Sequence, residues 1–148
     1  MTRQSTMRAN VLETHNAPLR HSTISTPEIG PHDVLVRVRA SAVNPLDTKI
    51  QAGAAAHARH PLPAILGIDL AGVVELAGRE VSRFKPGDEV YGMTGGVGGV
   101  QGSLAEFAAV DPDLLALKPA NLSMREAAAL PLIVITAWEG LIDRAGLK

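Results

Sequence analysis

Cysteine is absent from the 148 residues. That absence excludes disulfide scaffolds, thiolate zinc sites, iron–sulfur clusters and cysteine nucleophiles, and it fits a reducing compartment. Aromatic residues are nearly absent too. Phe84, Tyr91, Phe107 and Trp138 are the whole set, so a core has to be built mainly from aliphatic side chains. Neither charge sign dominates: 14 Lys+Arg against 15 Asp+Glu leave a net charge of -1. Such a balance gives no electrostatic footprint for nucleic acid or an anionic membrane. Long hydrophobic runs are missing as well. The longest, Ala127 to Trp138, contains Pro131 and Thr136 and reaches about half of the ~20 residues a membrane helix needs. The opening MTRQSTMRAN has no apolar stretch of the secretory type. The expectation is a cytoplasmic chain that acts on a small molecule.

What is present suffices for a folded domain. Hydrophobic residues make up 46% and the mean hydropathy is +0.13, which with so little net charge excludes disorder. The 14 Gly and 10 Pro follow no collagen period. The length suits one domain, or one domain and part of a second.

The first two-thirds read as β-structure. Val34, Val36, Val38 and Ala40 alternate with Arg37 and Arg39, the pattern of a half-buried strand. Ile68 to Ala77 is a second apolar run in which Gly72 signals a bulge or a close backbone approach. Pro86-Gly87 is placed for a type II turn before a strand from Glu89 to Met93. Leu114 to Lys118 is a further short strand. Strands at this spacing predict an antiparallel barrel or sandwich. From Asn121 the character changes. Ser123 and Glu126 form a capping box, Pro131 opens a second helix, and Val134, Trp138, Leu141 and Ala145 share one face of it. Gly146 is a stop signal. A β-rich body that feeds into a helix reads as a chain cut at a domain boundary.

Four stretches carry polar or glycine-rich chemistry. The run Gly95 to Gly102 follows a strand and precedes Ser103…Glu106, a second candidate capping box, but the G-x-G-x-x-G spacing fails at Gln101. It reads as a flexible surface loop rather than a dinucleotide cradle. In Ser41 to Lys49, Asn44-Pro45 is by itself a turn initiator and Asp47 a helix cap. The functional alternative is a loop offering an amide, a carboxylate and the Lys49 ammonium to a ligand. His57 and His60 lie among small residues and prolines with no third metal ligand evident, and read as surface histidines. Asp69, inside an apolar run, needs partners or a functional reason.

Together, and in this order, these segments resemble the medium-chain dehydrogenase/reductase superfamily, in its zinc-independent quinone-oxidoreductase-like branch. The residues that carry the resemblance are Val36-Arg37-Val38, Asn44-Pro45-Leu46-Asp47, Leu66-Gly67-Ile68-Asp69-Leu70-Ala71-Gly72 and Phe84 to Gly92. Leu104-Ala105-Glu106-Phe107 and Ala127 to Trp138 complete the set. The resemblance implies a mainly β fold with C-terminal helices: a GroES-like β-barrel catalytic domain over residues 7–125. Residues 126–148 would then lead to a nucleotide-binding Rossmann domain lying outside this chain. It also implies that Leu104 to Val110 is a strand.

The resemblance further implies an activity, the reduction of quinones or activated α,β-unsaturated carbonyls by hydride from NADPH. The intact enzyme would be a homodimer with no nucleic-acid or membrane partner. Asn44 would meet the nicotinamide ribose or the substrate oxygen, Thr136 the nicotinamide, and Leu132 would wall the pocket. Lys49 would stabilise an oxyanion or deliver a proton, with a solvent-exposed lysine as the alternative, and Asp47 would brace the loop. Asp69 would help to order the site. Zinc-dependent members carry a Cys at the place of Asn44, a His at that of Ile68 and a further ligand at that of Leu132, so no zinc is expected here. The alternative function is a ligand-binding or scaffold protein on the same barrel.

Overall fold

The computed structural model describes residues 5–148. Two antiparallel sheets make up the body. In the smaller, β1 (Thr6–Leu12) lies between β2 (Arg20–Ser25) and β4 (Ala64–Ile65). The larger runs β7-β3-β5-β6-β8, with β3 (Val34–Ser41), β5 (Asp69–Ala77), β6 (Glu89–Met93), β7 (Phe107–Val110) and β8 (Leu115–Leu117). The segment that leads into β7 stitches the two together. Asn10 N donates to Leu104 O at 2.8 Å and Glu106 N to Arg8 O at 3.0 Å. α1 (Pro45–Gln51) follows β3 and packs Ile50 with Leu12 and Ala64 of the smaller sheet. The chain closes with α2 (Met124–Ala128), α3 (Pro131–Trp138) and a π-helical turn, Glu139–Arg144. The fold is therefore mainly β with C-terminal helices.

β3 is buried on both faces at its start. Val34 and Val36 join Leu70, Val74 and Val90 in one aliphatic cluster, while Leu35 turns the other way onto Met7, Val11 and Phe107. Only from Arg37 does the alternation seen in the sequence appear, and there the guanidinium covers the Phe107 ring at 4.7 Å and pairs with Glu75. Gly72 does what a strand-interior glycine implies. A Cβ there would lie 2.3 Å from Arg37 O, opposite an irregular register between Val38 and Ala40. The core is aliphatic around two phenyl rings, Phe84 and Phe107.

Several local expectations hold. Gly87 takes a φ of 95° in the turn closed by Asp88 N on Lys85 O. Ser123 N donates to Glu126 Oε2 at 2.8 Å, and Glu126 N returns the bond to Ser123 Oγ, so the capping box forms. Pro131 is the first residue of α3.

Others are corrected. The glycine run is clamped rather than loose. Gly98 N donates to Arg59 O, Gly102 N to Ile65 O, and a Cβ on Gly95 would lie 2.3 Å from Gln101 O. Ser103 and Glu106 form no capping box, because Ser103 Oγ donates to Asp69 O and Glu106 pairs with Arg8. The strand implied from Leu104 starts at Phe107, since residues 104–106 bond across to β1 instead. The helix expected to run to Ala145 is α-helical only to Trp138, and its face of Val134, Trp138 and Leu141 is exposed. His60 is not a surface histidine. It is buried, and its Nδ1 accepts from Gly99 N at 2.8 Å.

Candidate functional site

The sequence Asn44-Pro45-Leu46-Asp47 is a helix start. Asn44 is the N-cap in extended conformation, Pro45 the first helical residue, and Asp47 reaches back so that its Oδ2 accepts from Asn44 N at 2.7 Å. The cap is thus Asn44 and not Asp47, which serves as the returning carboxylate of a capping box. Both residues are buried. The signal was in the sequence: Asn-Pro followed at the third helical position by an acid is an N-terminus signature.

Asn44 is also tied across the site. Its Nδ2 donates to Asp69 Oδ2 at 3.0 Å. Asp69 begins β5 with 0% of its surface exposed, and its carboxylate also accepts from Leu132 N, 3.2 Å from each oxygen. The partners that a buried carboxylate requires are therefore Asn44 and the start of α3. Asp69 is held in turn by its own carbonyl, which accepts from Ser103 Oγ at 2.8 Å and Ala42 N at 3.3 Å. Ser41 Oγ lies 2.5 Å from Ser103 Oγ. The expectations gave Ser41 no role of its own and Ser103 only a place in a capping box, and no local pattern marks either for this contact.

Burial pushes both carboxyls above the usual carboxylate range. For Asp69 the Asn44 amide and the Leu132 N–H oppose that push, while the charge of Asp47 adds to it. For Asp47 the amide of Asn44 gives the largest opposing pull, with those of Gly67 and Ile68 in support.

Beside this knot lies an apolar cavity of about 310 Å³, lined by Leu46, Ile68, Met93, Val97, Val100 and Leu132 among others. Its walls come from α1, β6, the glycine loop and α3. Leu132 and Ile68 are thus both wall residues of this cavity. Thr136 follows Leu132 by one turn and is exposed, and its Oγ1 donates to Leu132 O at 2.7 Å. Lys49 is exposed on α1 and is not among the residues lining the cavity. The structure therefore brings Asn44, Asp47 and Leu132 together around Asp69, and leaves Lys49 and Thr136 at the periphery. Among the described residues no three His, Cys, Asp or Glu side chains are grouped to hold a metal ion, and no helix is long and apolar enough to cross a membrane.

The alcohol dehydrogenase GroES-like domain family matches residues 30–120 of this chain. The chain belongs to this family. A 2-methylene-furan-3-one reductase of Solanum lycopersicum is 46% identical over 131 residues, 86% of this chain and 34% of the relative. An NADPH-dependent alkenal/one oxidoreductase, chloroplastic, of Arabidopsis thaliana is 46% identical over 125 residues, 82% of this chain and 32% of the relative. Among solved structures, an alcohol dehydrogenase superfamily protein from Novosphingobium aromaticivorans superposes with a TM-score of 0.93 at 57% identity. The match covers 96% of this chain and 43% of that one. The chain thus spans about a third of the length of these two curated relatives.

Proposed function

We propose that this GroES-like domain forms the substrate side of an NADPH-dependent reductase of quinones or activated α,β-unsaturated carbonyls that works without zinc. The observation that carries the reading is the apolar cavity walled by Ile68 and Leu132 beside the Asn44–Asp69 pair. A flat, electron-poor acceptor suits such a cavity. The reductase and oxidoreductase named above, each 46% identical to this chain, support the same activity.

The donor set does not fit zinc. Isoleucine and leucine have no lone pairs to give, and the single amide oxygen of Asn44 is a poor zinc ligand. It does fit the nicotinamide end of a dinucleotide. The Thr136 hydroxyl spends its proton on Leu132 O and so meets a ligand as an acceptor, and Leu132 offers an apolar side to a ring. When bound, the reduced cofactor supplies the hydride. The chain's own residues orient the acceptor against it and keep water out of the cavity, which favours transfer over side reactions. Asp47 holds the backbone of Asn44 in place, and Lys49 lies within α1 as a candidate proton donor at the edge.

The test is NADPH oxidation by the full-length gene product, followed by absorbance with a simple quinone and with an enone as acceptors. Activity that survives removal of zinc by a chelator and falls on Asn44→Ala supports the reading. Chelator-sensitive activity on alcohols would refute it, as would an Asn44→Ala variant with an undiminished rate.

A further inference from the structure

The polar groups of the site converge on one side chain that a ligand cannot reach. Asp69 is fully buried, so it cannot touch a substrate, yet its carboxylate bonds both Asn44 Nδ2 and the backbone amide of Leu132. Each bond settles something that the chain would otherwise leave open. A primary amide can be turned either way, and a carboxylate, which only accepts, requires that the NH₂ end of Asn44 face inward. The N-cap of α3 is Leu130, whose side chain cannot cap a helix. One of its orphan amides is satisfied instead by Asp69, a residue 63 positions earlier. The negative charge also sits at the positive end of the helix. Asp69 is itself immobilised through its carbonyl by Ser103 Oγ and Ala42 N.

We propose that Asp69 is the positioning residue of this site. Its carboxylate holds the Asn44 amide and the start of α3 in one frame, so that Leu132 in the cavity wall and Thr136 one turn on keep their places relative to Asn44. The catalytic arm of the test rests on the reductase reading above, and the structural arm does not. Asparagine at this position retains one acceptor oxygen but turns an NH₂ group toward the Leu132 N–H, so the two donors oppose each other and the frame loosens without a change in volume.

Two measurements decide it. In the 148-residue chain, Asp69→Asn is expected to speed hydrogen exchange of the Leu132 amide about tenfold or more relative to amides of β3 and β5. In the full-length enzyme, Asp69→Asn is expected to lower kcat by about 10- to 100-fold, with the KM for the acceptor changed less than about twofold. The double variant Asp69→Asn/Asn44→Ala then loses less than the product of the two single losses, because part of the effect of Asp69 passes through Asn44. Unchanged Leu132 exchange overturns the proposal, and so do losses that simply multiply. If the wild type reduces neither quinones nor enones, the reductase reading falls, and the exchange measurement still decides on Asp69. Asp69→Ala serves as a second variant and is expected to exceed Asp69→Asn in both effects.

Discussion

His60 Nδ1 accepts a hydrogen bond from Gly99 N at 2.8 Å, a contact that spans 39 residues and anchors the glycine loop. That loop carries Val97 and Val100 to the cavity wall. The bond exists only while Nδ1 is unprotonated, and burial lowers the pKa of His60 from its ordinary value of 6.5. A hydrogen bond with the backbone of Ile65 opposes that shift but does not reverse it. A histidine whose folded pKa is depressed contributes stability that is present above the unfolded value and is lost as pH falls toward the folded one. The loss therefore begins below about pH 6.5. Glu75 and Glu106 act in the same direction, but only below their ordinary 4.5.

Between about pH 7.5 and about pH 5.5, the wild-type Tm should consequently fall by some 2–4 °C more than that of His60→Asn. Asparagine can accept from Gly99 through Oδ1 but does not titrate, and roughly 1 kcal/mol corresponds to that shift in a chain of this size. Thermal melts of the two proteins at both pH values check this. Parallel curves would refute it.

Glycine-to-alanine substitutions should have opposite signs at two places. At Gly72 the new methyl would lie 2.3 Å from Arg37 O and 2.7 Å from Val36 Cγ1, within paired strands. Overpacking of that kind costs about 1–3 kcal/mol. At Gly140, in the last helical turn, a Cβ meets nothing within 4 Å. There the gain is about 0.4–1 kcal/mol, because alanine has fewer unfolded conformations to lose. Urea unfolding of both variants against wild type checks the pair.

The elements that could be read from the sequence are those whose cause is local. Ser123 and Glu126 are three residues apart, Pro86-Gly87 dictates its own turn, and Gly72 announces a close approach without revealing to what. β2 could not be separated because Arg20, His21, Ser22 and Thr23 show no apolar alternation, and its hydrogen bonds to β1 supply what side-chain burial does not. The same rule divides the site. The Asn44-Pro45…Asp47 cap is local and recognisable. The ties of Asp69 to Asn44 and Leu132 span 25 and 63 residues, and the burial of His60 depends on a glycine in a loop that reads as flexible. Contacts of that range follow from the topology, not from any window of residues.

The C-terminal helical segment leaves a broad apolar surface open. Ile133, Val134, Ile135, Trp138 and Leu141 are all exposed, Trp138 by 60%, and contiguous patches of this kind rarely stay solvated on a monomer. The 148-residue chain should therefore self-associate at high concentration, and Trp138→Glu should return it to a monomer with the Tm otherwise little changed. Sedimentation equilibrium of both proteins checks this. A monomeric wild type at millimolar concentration would refute it.

The last prediction concerns the cofactor. Phosphates are usually held at helix starts by free backbone amides, but every α-helix start in the described chain already carries an acid. Asp47 occupies the first turn of α1, Glu126 that of α2, and Asp69 takes the Leu132 amide at the head of α3. The glycine-rich run opens no helix and spends its amides on Arg59, His60 and Ile65. A dinucleotide offered to these 148 residues alone would find Asn44, Thr136 and the apolar wall at its nicotinamide end and nothing for its phosphates. A few hydrogen bonds of about 0.5–1.5 kcal/mol each barely offset an association cost of at least ~4 kcal/mol. The expected Kd for NADPH is about 1 mM or weaker, with no steady turnover of a quinone. Calorimetric titration with NADPH, beside an absorbance assay, decides the matter. Micromolar affinity would mean that a phosphate site exists within these residues after all, and the substrate-side assignment of this domain would have to be withdrawn.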